Sequence, residues 1–397
     1  MKALLLENIH SDAYDALVAA GHQVETRSGA LDEADLIEAL DGVELLGIRS
    51  KTQVTSEVLA AAPSLLAVGA FCIGTNQIDL DDAAARGVAA FNAPFSNTRS
   101  VVELAMGEII AMARHLTDKN AKMHAGDWDK SAAGAHEVRG RTLGIVGYGN
   151  IGSQLSVLAE AFGMRVSYYD IADRLALGNA HRCESLEELL ETCETVSLHV
   201  DGRAGNAGFF GAEEFARMKP RSLFLNLCRG FVLDQEALRE ALVSGHIAGA
   251  AIDVFPEEPK SQGDKFVSPL QGLPNVILTP HVGGSTLEAQ QDIGRFVSAK
   301  LIDYAERGAT QMSVNLPQVV SQAGGVQISH LHRNVPGVLG RLNSLLADHG
   351  VNIDGQTLAT RGEFGYVTLS VTGTVSDAVI EDLRALPETV KVRVLPS

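Results

Sequence analysis

The chain has 397 residues, 46% of them hydrophobic and 20% charged, and its formal net charge at pH 7 is −17. This length predicts two or three domains, and the hydrophobic content is sufficient for their cores. Such an acidic surface argues against nucleic acids and anionic membranes as partners. The four cysteines show neither a C-x-x-C pair nor a metal-binding spacing. We therefore expect a cytoplasmic protein with reduced thiols, no metal site, no signal peptide and no transmembrane helix.

The first 98 residues alternate between short apolar runs and helical patterns. The predicted strands are Ala3–Leu6, Val43–Ile48 and Leu65–Ala70. The predicted helices are Ser11–Ala20 and Asp32–Leu40. This alternation predicts a parallel sheet flanked by helices.

Polar segments follow the second and third of these strands. They are Arg49-Ser50-Lys51-Thr52 and the glycine-containing stretch Gly69–Asn76. The α/β folds place ligand-binding groups at such positions, although an isolated cation is more often part of a solvated surface loop. A long amphipathic helix is predicted from Ser96–Ser100 to about His115, followed by a polar loop, Asp127–Lys130, with the only tryptophan.

The stretch Thr142–Asp170 is the most informative part of the sequence. An apolar strand, Leu143–Val146, leads into a glycine-rich turn, then an amphipathic helix, and then a second strand that ends at Asp170. The residues of the turn are Gly147, Tyr148, Gly149, Asn150, Ile151 and Gly152. Within a strand–helix–strand unit, this G-x-G-x-x-G spacing predicts a dinucleotide site.

Each part of that motif has a physical reason. Gly147 allows the tight turn, Gly149 lets the backbone approach a pyrophosphate, and Gly152 lets the helix pack closely on the strand. The N-terminus of the helix favours the negative charge of the phosphates. Asp170 would accept hydrogen bonds from the ribose hydroxyls and repel a 2′-phosphate. The predicted cofactor is therefore NAD rather than NADP.

The alternation resumes after Asp170 and, with the two strands of the Thr142–Asp170 unit included, predicts six strands in a doubly wound, Rossmann-type sheet. A long helix, Thr286–Arg307, then leads back towards the first domain. We predict a discontinuous substrate-binding domain, residues 1–98 and 286–315, into which a nucleotide-binding domain, residues 99–285, is inserted. Catalysis is expected in the cleft between them. Residues 309–325 have linker composition, and residues 316–325 are predicted to be the linker itself. Residues 326–397 predict a ferredoxin-like βαββαβ module.

Three polar residues follow strands of the nucleotide-binding domain, and their types suit hydride transfer at a 2-hydroxy acid. Arg229 can pair with a carboxylate, and His281 can take the hydroxyl proton near neutral pH. A carboxylate beside the histidine would raise its pKa and fix its ring. The acid could be Glu257 or Glu258, because spacing does not choose between them. Each of these residues could instead have a purely structural role, as a core or loop residue or as a salt-bridge partner. Only their joint placement favours catalysis.

Several segments in this order resemble the D-isomer-specific 2-hydroxyacid dehydrogenase family. The segments are GYGNIG with YYD, NLCRG, AAIDVFPEEP and TPHVGG. IRSKT, GAFCIGTNQIDL, FNAPFSNTRSVVELAMGEII and WDKSAAGAHEVRGRTLGIVGYGNIG are similar to bacterial members that oxidise 3-phosphoglycerate. The segment HLHRNVPGVLGRLNSLLADHGVNI resembles the ACT regulatory domain of such enzymes. The resemblance covers essentially the whole chain and implies a flavodoxin-like substrate-binding domain.

The resemblance implies roles for individual residues. Arg229, Glu258 and His281 would be the catalytic set, which decides the choice in favour of Glu258. NAD would lie against Asn150, Ile151, Asp170, Leu227, Cys228, Asp253, Val282, Gly283 and Gly284, in addition to the motif glycines. Arg49, Ser50, Lys51, Gly74, Asn97 and Lys130 are expected to bind an anionic substrate. His332, Asn334 and Asn352 match the positions that bind serine between paired ACT domains.

The implied activity is NAD-dependent oxidation of 3-phosphoglycerate to 3-phosphohydroxypyruvate, the first step towards L-serine, with feedback inhibition by L-serine. Reduction of 2-oxoglutarate and a homotetrameric assembly are also implied. The alternatives are another D-2-hydroxy acid as substrate or an NAD-sensing corepressor, which would give no reason for the ACT domain. The sequence departs from the family at two positions, Asp201 in place of proline and Cys228 in place of serine or alanine.

Overall fold

The computed structural model describes residues 1–259, 263–320, 326–372 and 375–395. The chain forms two compact units. The first contains residues 1–96 and 290–397, and the second contains residues 97–289.

The N-terminal part of the first unit is a five-stranded parallel sheet flanked by helices. Its elements are β1 (Lys2–Leu5), α1 (Ser11–Ala19), β2 (Gln23–Thr26), α2 (Glu33–Ala39), β3 (Leu45–Ile48), α3 (Ser56–Ala61), β4 (Ala67–Ala70), α4 (Leu80–Ala85) and β5 (Ala89–Asn92). The strand order β2-β1-β3-β4-β5 confirms the flavodoxin-like arrangement. Strands β3, β4 and β5 are buried throughout, which explains their continuous apolar or small-residue sequences.

The sequence prediction missed β2, β5, α3 and α4. These elements are four to six residues long, too short to show a distinct periodicity. Strand β2 is also polar and largely exposed, because it is an edge strand of the sheet.

The second unit contains a seven-stranded parallel sheet within its described residues. Its elements are α5 (Thr98–Ala113), α6 (Leu116–His124), β6 (Thr142–Val146), α7 (Asn150–Ala161), β7 (Arg165–Tyr169), β8 (His181–Arg182), α8 (Leu186–Thr192), β9 (Thr195–Leu198), α9 (Ala212–Arg217), β10 (Ser222–Asn226), α10 (Gln235–Val243), β11 (Ile247–Ile252) and β12 (Val276–Leu278). The order β8-β7-β6-β9-β10-β11-β12 confirms a Rossmann-type sheet. All strands are parallel, and the order in which the chain adds them changes direction between β6 and β9.

The prediction for this unit missed two elements, β8 and α6. The sheet has seven strands rather than six, because the two-residue edge strand β8 carries no sequence signal. The helix predicted to reach about His115 ends at Ala113, within two residues of that position, and an unpredicted helix, α6, begins at Leu116. His115 has a left-handed backbone conformation, with a φ of 49°, and separates the two helices.

The chain returns to the first unit through α11 (Leu287–Arg307). The C-terminal elements are β13 (Val326–Arg333), α12 (Val338–Asp348), β14 (Asn352–Arg361), β15 (Phe364–Thr372), α13 (Asp377–Ala385) and β16 (Thr389–Leu395). They form an antiparallel sheet in the order β14-β15-β13-β16, which confirms the βαββαβ module. Of the segment predicted as a linker, residues 321–325 lie outside the described residues. Leu316 and Val319 are buried in the core of the first unit.

Strand β16 and strand β15 join the C-terminal module to the rest of the first unit. Lys391 Nζ donates to Leu65 O at 2.9 Å, and the Arg393 guanidinium donates to Ala305 O at 2.7 Å while lying over the Tyr304 ring. The Tyr366 hydroxyl donates to Gly308 O at 2.7 Å. Since Leu331 and Tyr366 also belong to the core of the parallel sheet, the module is attached by apolar and polar contacts.

Candidate functional site

The glycine-rich turn between β6 and α7 has the geometry of a phosphate-binding site. Gly147 has a φ of +93°, and a Cβ on Gly152 would lie 2.2 Å from Gly147 O. Both positions therefore require glycine. A Cβ on Gly149 would meet no atom within 4 Å, so the space beside this residue is open at the N-terminus of α7. The turn thus fits the pyrophosphate of a dinucleotide.

Asp170 follows β7 and is tied to the same turn. Its Oδ2 accepts from Tyr148 N at 2.8 Å, and its Oδ1 accepts from Ala172 N at 2.8 Å. Arg174 lies 3.7 Å from the carboxylate. A carboxylate has about four lone-pair sites, so both oxygens can still accept from ribose hydroxyls. Asp170, Asn150 and Ile151 all lie at the carboxyl edge of the sheet beside the turn.

The loop after β10 is shaped by a buried side chain, Asn226. Its Oδ1 accepts from Cys228 N and Sγ, both at 3.1 Å, and its Nδ2 donates to Arg229 O at 3.1 Å. A Cβ on Gly230 would lie 1.9 Å from the carbonyl carbon of Phe255. Glycine at this position therefore lets the Arg229 loop lie directly against the backbone that leads to Glu258.

Cys228 is buried and is not a reactive thiol. Burial raises the pKa of its thiol to about 11, despite the nearby charge of Arg229. The neutral thiol packs in the core and donates to Asn226. Leu227 is also buried, in a core cluster on the α5 side of the sheet.

The structure brings Glu258 and His281 together. His281 Nδ1 lies 2.9 Å from Glu258 Oε2 and 3.1 Å from Oε1, and Glu258 Oε1 also accepts from Phe255 N at 3.2 Å. Because a carboxylate only accepts hydrogen bonds, Nδ1 must carry a proton. The lone pair of the neutral ring is then on Nε2, which can act as a base. Both acids are exposed, but Glu257, the other one that spacing left open, makes no such bond within the described residues.

The charges of this pair and of Arg229 affect one another. The hydrogen bond to Glu258 raises the pKa of His281 above its usual value, against burial and the charge of Arg229, which lower it. Burial raises the pKa of Glu258, but its hydrogen bond and charge interaction with His281 outweigh burial and leave that pKa below its usual value. Glu258 therefore stays ionised and His281 is a stronger base than a free imidazole.

Asp253 holds the segment that carries His281. This buried carboxylate accepts from Thr279 Oγ1 at 2.6 Å and from the backbone N–H groups of Val282 and Gly283, both at 2.8 Å. His281 itself has a φ of 53°, a left-handed conformation that is uncommon for a side chain of this type. The three hydrogen bonds to Asp253 thus fix a strained turn, which the sequence did not predict for this residue.

Asn97 and Gly284 lie close together in the second unit. A Cβ on Gly284 would be 2.4 Å from Asn97 Nδ2, and Asn97 Oδ1 is buried without a hydrogen-bond partner in the described part of the chain. Lys130 is exposed in the loop after α6. In place of the family's proline, Asp201 pairs with the Arg203 guanidinium, and the intervening Gly202 packs on Arg229.

The remaining substrate-binding candidates lie in the first unit, where Glu7 organises them. The Glu7 carboxylate accepts from the backbone N–H groups of Arg49 at 3.2 Å, Lys51 at 3.1 Å and Thr52 at 2.9 Å. Gln77 Nε2 donates to Arg49 O at 2.6 Å and to Gly74 O at 3.2 Å, and so joins the two polar loops. Ser50 is exposed on the first of these loops.

The three residues matched to a serine site do not meet within one chain. His332 is buried, Asn334 follows the C-terminal end of β13, and Asn352 begins β14. Since β15 pairs antiparallel with both strands, Phe364 lies opposite Arg333 and Thr372 opposite Asn352. Asn334 and Asn352 are therefore at opposite ends of the sheet.

Sequence reasoning missed Glu7, Gln77 and Asn226. All three are buried polar residues that act on loop backbones rather than on a ligand. A polar residue within or next to an apolar run was the only available signal, and it does not reveal the partner.

Two parts of the chain match known protein families. Residues 106–283 match the NAD-binding domain of the D-isomer specific 2-hydroxyacid dehydrogenases, and residues 328–391 match an ACT domain of the AHAS small-subunit type. The chain is 48% identical over 399 aligned residues to D-3-phosphoglycerate dehydrogenase of Escherichia coli K12, with 100% of this chain and 97% of that protein covered. The chain belongs to the D-isomer specific 2-hydroxyacid dehydrogenase family.

Two further relatives show how widely this likeness extends. D-3-phosphoglycerate dehydrogenase of Dictyostelium discoideum is 47% identical over 397 residues, with 100% of this chain and 97% of that protein covered. The crystal structure of the TT0316 protein from Thermus thermophilus has a TM-score of 0.69 and 30% identity, and covers 76% of this chain and 96% of its own. The chain is therefore an oxidoreductase with NAD as its cofactor and a C-terminal ACT domain. Among the described residues, no helix combines the length and apolar character needed to span a membrane.

Proposed function

We propose that this protein oxidises 3-phospho-D-glycerate to 3-phosphohydroxypyruvate with NAD, the first step towards L-serine. The observation that carries the proposal is the hydrogen bond between Glu258 and His281, 2.9 Å long, within the influence of the Arg229 charge. Its support is the near-full-length likeness to enzymes named D-3-phosphoglycerate dehydrogenase.

In this proposal Arg229 binds the substrate carboxylate and polarises the oxygen on C2. His281 takes the hydroxyl proton at Nε2, because Nδ1 is hydrogen-bonded to Glu258. Glu258 orients the ring and stabilises the imidazolium. When bound, NAD supplies the hydride acceptor. The turn 147–152 and Asp170 would hold this cofactor, with Leu227, Cys228, Val282, Gly283 and Gly284 lining the site and Asp253 supporting it.

A change at Glu258 tests the role of the carboxylate. We expect Glu258→Gln to shift the acidic limb of the kcat/KM profile for oxidation to lower pH. Glu258 raises the pKa of His281, so its neutralisation lets the imidazole remain unprotonated in more acidic solution. The maximum rate should fall as well, because the ring loses its carboxylate partner. The matched control is Glu257→Gln, which removes an exposed neighbouring charge. An unchanged acidic limb in Glu258→Gln would contradict the assignment.

An anionic substrate requires basic side chains near its binding site, even in a protein whose net charge is negative. We propose that Arg49 and Lys51, with Ser50, Gly74, Asn97 and Lys130, hold the anionic substrate. The support is the shared loop of Arg49 and Lys51, whose backbone Glu7 holds in place.

Lys51 provides the sharper test of this assignment. We expect Lys51→Gln to raise KM for 3-phosphoglycerate at least about tenfold, since one charge-assisted contact contributes on the order of 1.5–3 kcal/mol. KM for an unphosphorylated D-2-hydroxy acid should change far less. Lys300→Gln, a substitution on α11 of the same unit, serves as the control. Equal effects on both substrates would exclude a phosphate contact of Lys51.

We further propose that L-serine inhibits the enzyme at a site between two ACT domains, formed by His332, Asn334 and Asn352. The support is the position of the two asparagines at opposite ends of one sheet, so that a second copy is needed to complete a shared site. Asparagine offers both a donor and an acceptor to a zwitterion. A homotetramer is consistent with the exposed apolar side chains of Leu116, Met123 and Trp128 on and after α6.

One experiment tests the activity and its regulation together. NADH formation is followed with 3-phosphoglycerate, with and without L-serine, and sedimentation reports the oligomeric state. A panel with other D-2-hydroxy acids, and with 2-oxoglutarate and NADH in the reverse direction, defines specificity. Preference for an unphosphorylated acid would overturn the proposed substrate. A rate that serine leaves unchanged would overturn the proposed inhibition.

A further inference from the structure

Glu108 is a buried acid that the proposed reaction does not use. It lies on α5, is 4% exposed, and is surrounded on that helix by buried apolar side chains such as Ala105, Ile109 and Met112. Both of its carboxyl oxygens are shielded from solvent and have no hydrogen-bond partner among the described residues. An unpaired carboxylate is costly in such surroundings, so a buried acid of this kind takes up a proton.

The neighbouring titratable group is Asp253. Helix α5 packs against α6, α7, β10, β11 and β12, and these strands carry no titratable side chain. The titratable groups on α6 and α7 are Asp118, Lys119, Lys122, His124 and Glu160. Within the described part of the chain, Asp253 is the group whose charge acts on Glu108. Burial, followed by the charge of Asp253, raises the pKa of Glu108 to about 8.

Helix α5 also contacts the segment that carries His281. Val101 lies about two helical turns before Glu108 and therefore on the same face. A Cβ on Gly283 would lie 3.3 Å from Val101 Cγ2. Asp253 holds the same segment through its hydrogen bonds with Thr279, Val282 and Gly283. The same Cβ would lie 3.0 Å from Asp253 Oδ2, so this face of α5 and the Asp253 carboxylate meet at the same point of the segment 279–283.

We propose that Glu108 is a positioning residue for the His281 segment: as a neutral acid it does not repel the Asp253 carboxylate, and its ionisation would displace Asp253 and loosen that segment. Two carboxylates in apolar surroundings repel each other strongly. Asp253 is bonded to the segment, so its displacement moves the turn on which His281 lies. This inference rests on the proposed role of His281 as the base.

The protonation state is tested without any activity measurement. Glu108→Gln replaces the acid by a neutral side chain of the same shape, and Glu103→Gln is the matched control, because Glu103 is exposed on the same helix and pairs with Arg99. Between the unfolded pKa of 4.5 and the folded pKa of about 8, the unfolded wild type is ionised while the folded protein is not. The contribution of Glu108 to wild-type stability therefore falls with rising pH across this window.

We expect the thermal midpoint of Glu108→Gln, relative to wild type, to rise from pH 5 to pH 8, whereas that of Glu103→Gln stays constant. If the midpoint difference between Glu108→Gln and wild type were the same at every pH, the proposal that Glu108 is neutral in the folded protein would be wrong. If this variant does not fold, Glu108→Leu gives the same comparison, because its side chain is also neutral at every pH.

The positioning role is tested on the native protein. Hydrogen-exchange protection in a peptide covering residues 276–286, corrected for the intrinsic rate, should fall in wild type between pH 7 and pH 9.5 but not in Glu108→Gln. The ratio of kcat/KM for 3-phosphoglycerate, Glu108→Gln over wild type, should rise at least threefold over the same interval. Equal loss of protection in both proteins, or a constant ratio, would overturn the inference. If no hydroxy acid is oxidised at any pH while the midpoint and exchange results hold, the proposed function fails and the Glu108–Asp253 coupling stands.

Discussion

Replacing His281 by asparagine is expected to lower kcat for 3-phosphoglycerate oxidation by about 10²–10⁴, the usual contribution of a general base. The imidazole Nε2 is the proposed acceptor of the hydroxyl proton, and an amide cannot replace it. Asparagine is the appropriate substitute because His281 has a φ of 53° and asparagine tolerates the left-handed region. The backbone of the segment should therefore remain in place. Steady-state kinetics with NADH formation as the signal measure the effect.

Two comparisons show whether the loss is chemical. NADH binding to His281→Asn, followed by fluorescence, should stay near that of wild type, because the turn 147–152 and Asp170 are unchanged. His124→Asn, a substitution at the end of α6, should keep the wild-type rate. A His281→Asn variant that retained more than about a tenth of the wild-type kcat would remove the histidine from the proposed mechanism.

The second large effect is expected at the glycine-rich turn. Gly152→Ala should destabilise the protein by about 3 kcal/mol or more, since forced overpacking costs this much where the backbone cannot move. The added methyl group would lie 2.2 Å from Gly147 O and 2.9 Å from Ile145 Cγ2. Thermal or urea unfolding measures the loss.

Gly149→Ala is the matched variant on the same turn. Its methyl group meets no protein atom within 4 Å, so stability should change by no more than about 1 kcal/mol, the scale of an N-cap substitution. NAD binding should nevertheless weaken at least about tenfold, because the methyl group occupies the space through which the backbone approaches the pyrophosphate. Wild-type NAD affinity in Gly149→Ala would show that the cofactor lies elsewhere.

The fold was predictable wherever a pattern was long enough to repeat. The turn 147–152 was recognisable because its spacing, flanking strands and terminal Asp170 support one another. The C-terminal module was recognisable from its order of strands and helices. Strand β8, with two residues, and the break at His115 were not predictable, because neither produces a periodic pattern.

The candidate site was predictable in its residue types but only partly in its contacts. Spacing alone left Glu257 and Glu258 equivalent, and only the folded backbone brings Glu258 to within 2.9 Å of His281. Asp253 was expected beside NAD, yet its carboxylate is engaged by three donors from residues 279–283. The sequence shows which groups are present, whereas hydrogen-bond partners depend on chain segments that are distant in sequence.

By itself the sequence determined the fold class, the dinucleotide motif and the identity of Arg229 and His281 as candidates, because local glycine geometry and apolar periodicity are encoded by neighbouring residues. Only the tertiary structure decided that Glu7 holds the Arg49–Thr52 loop, that Asn226 shapes the Arg229 loop, and that Glu108 is buried near Asp253. The reason is physical: the partner and the charge state of a polar side chain depend on what surrounds it after folding, and burial in apolar surroundings cannot be inferred from a single glutamate on a helix.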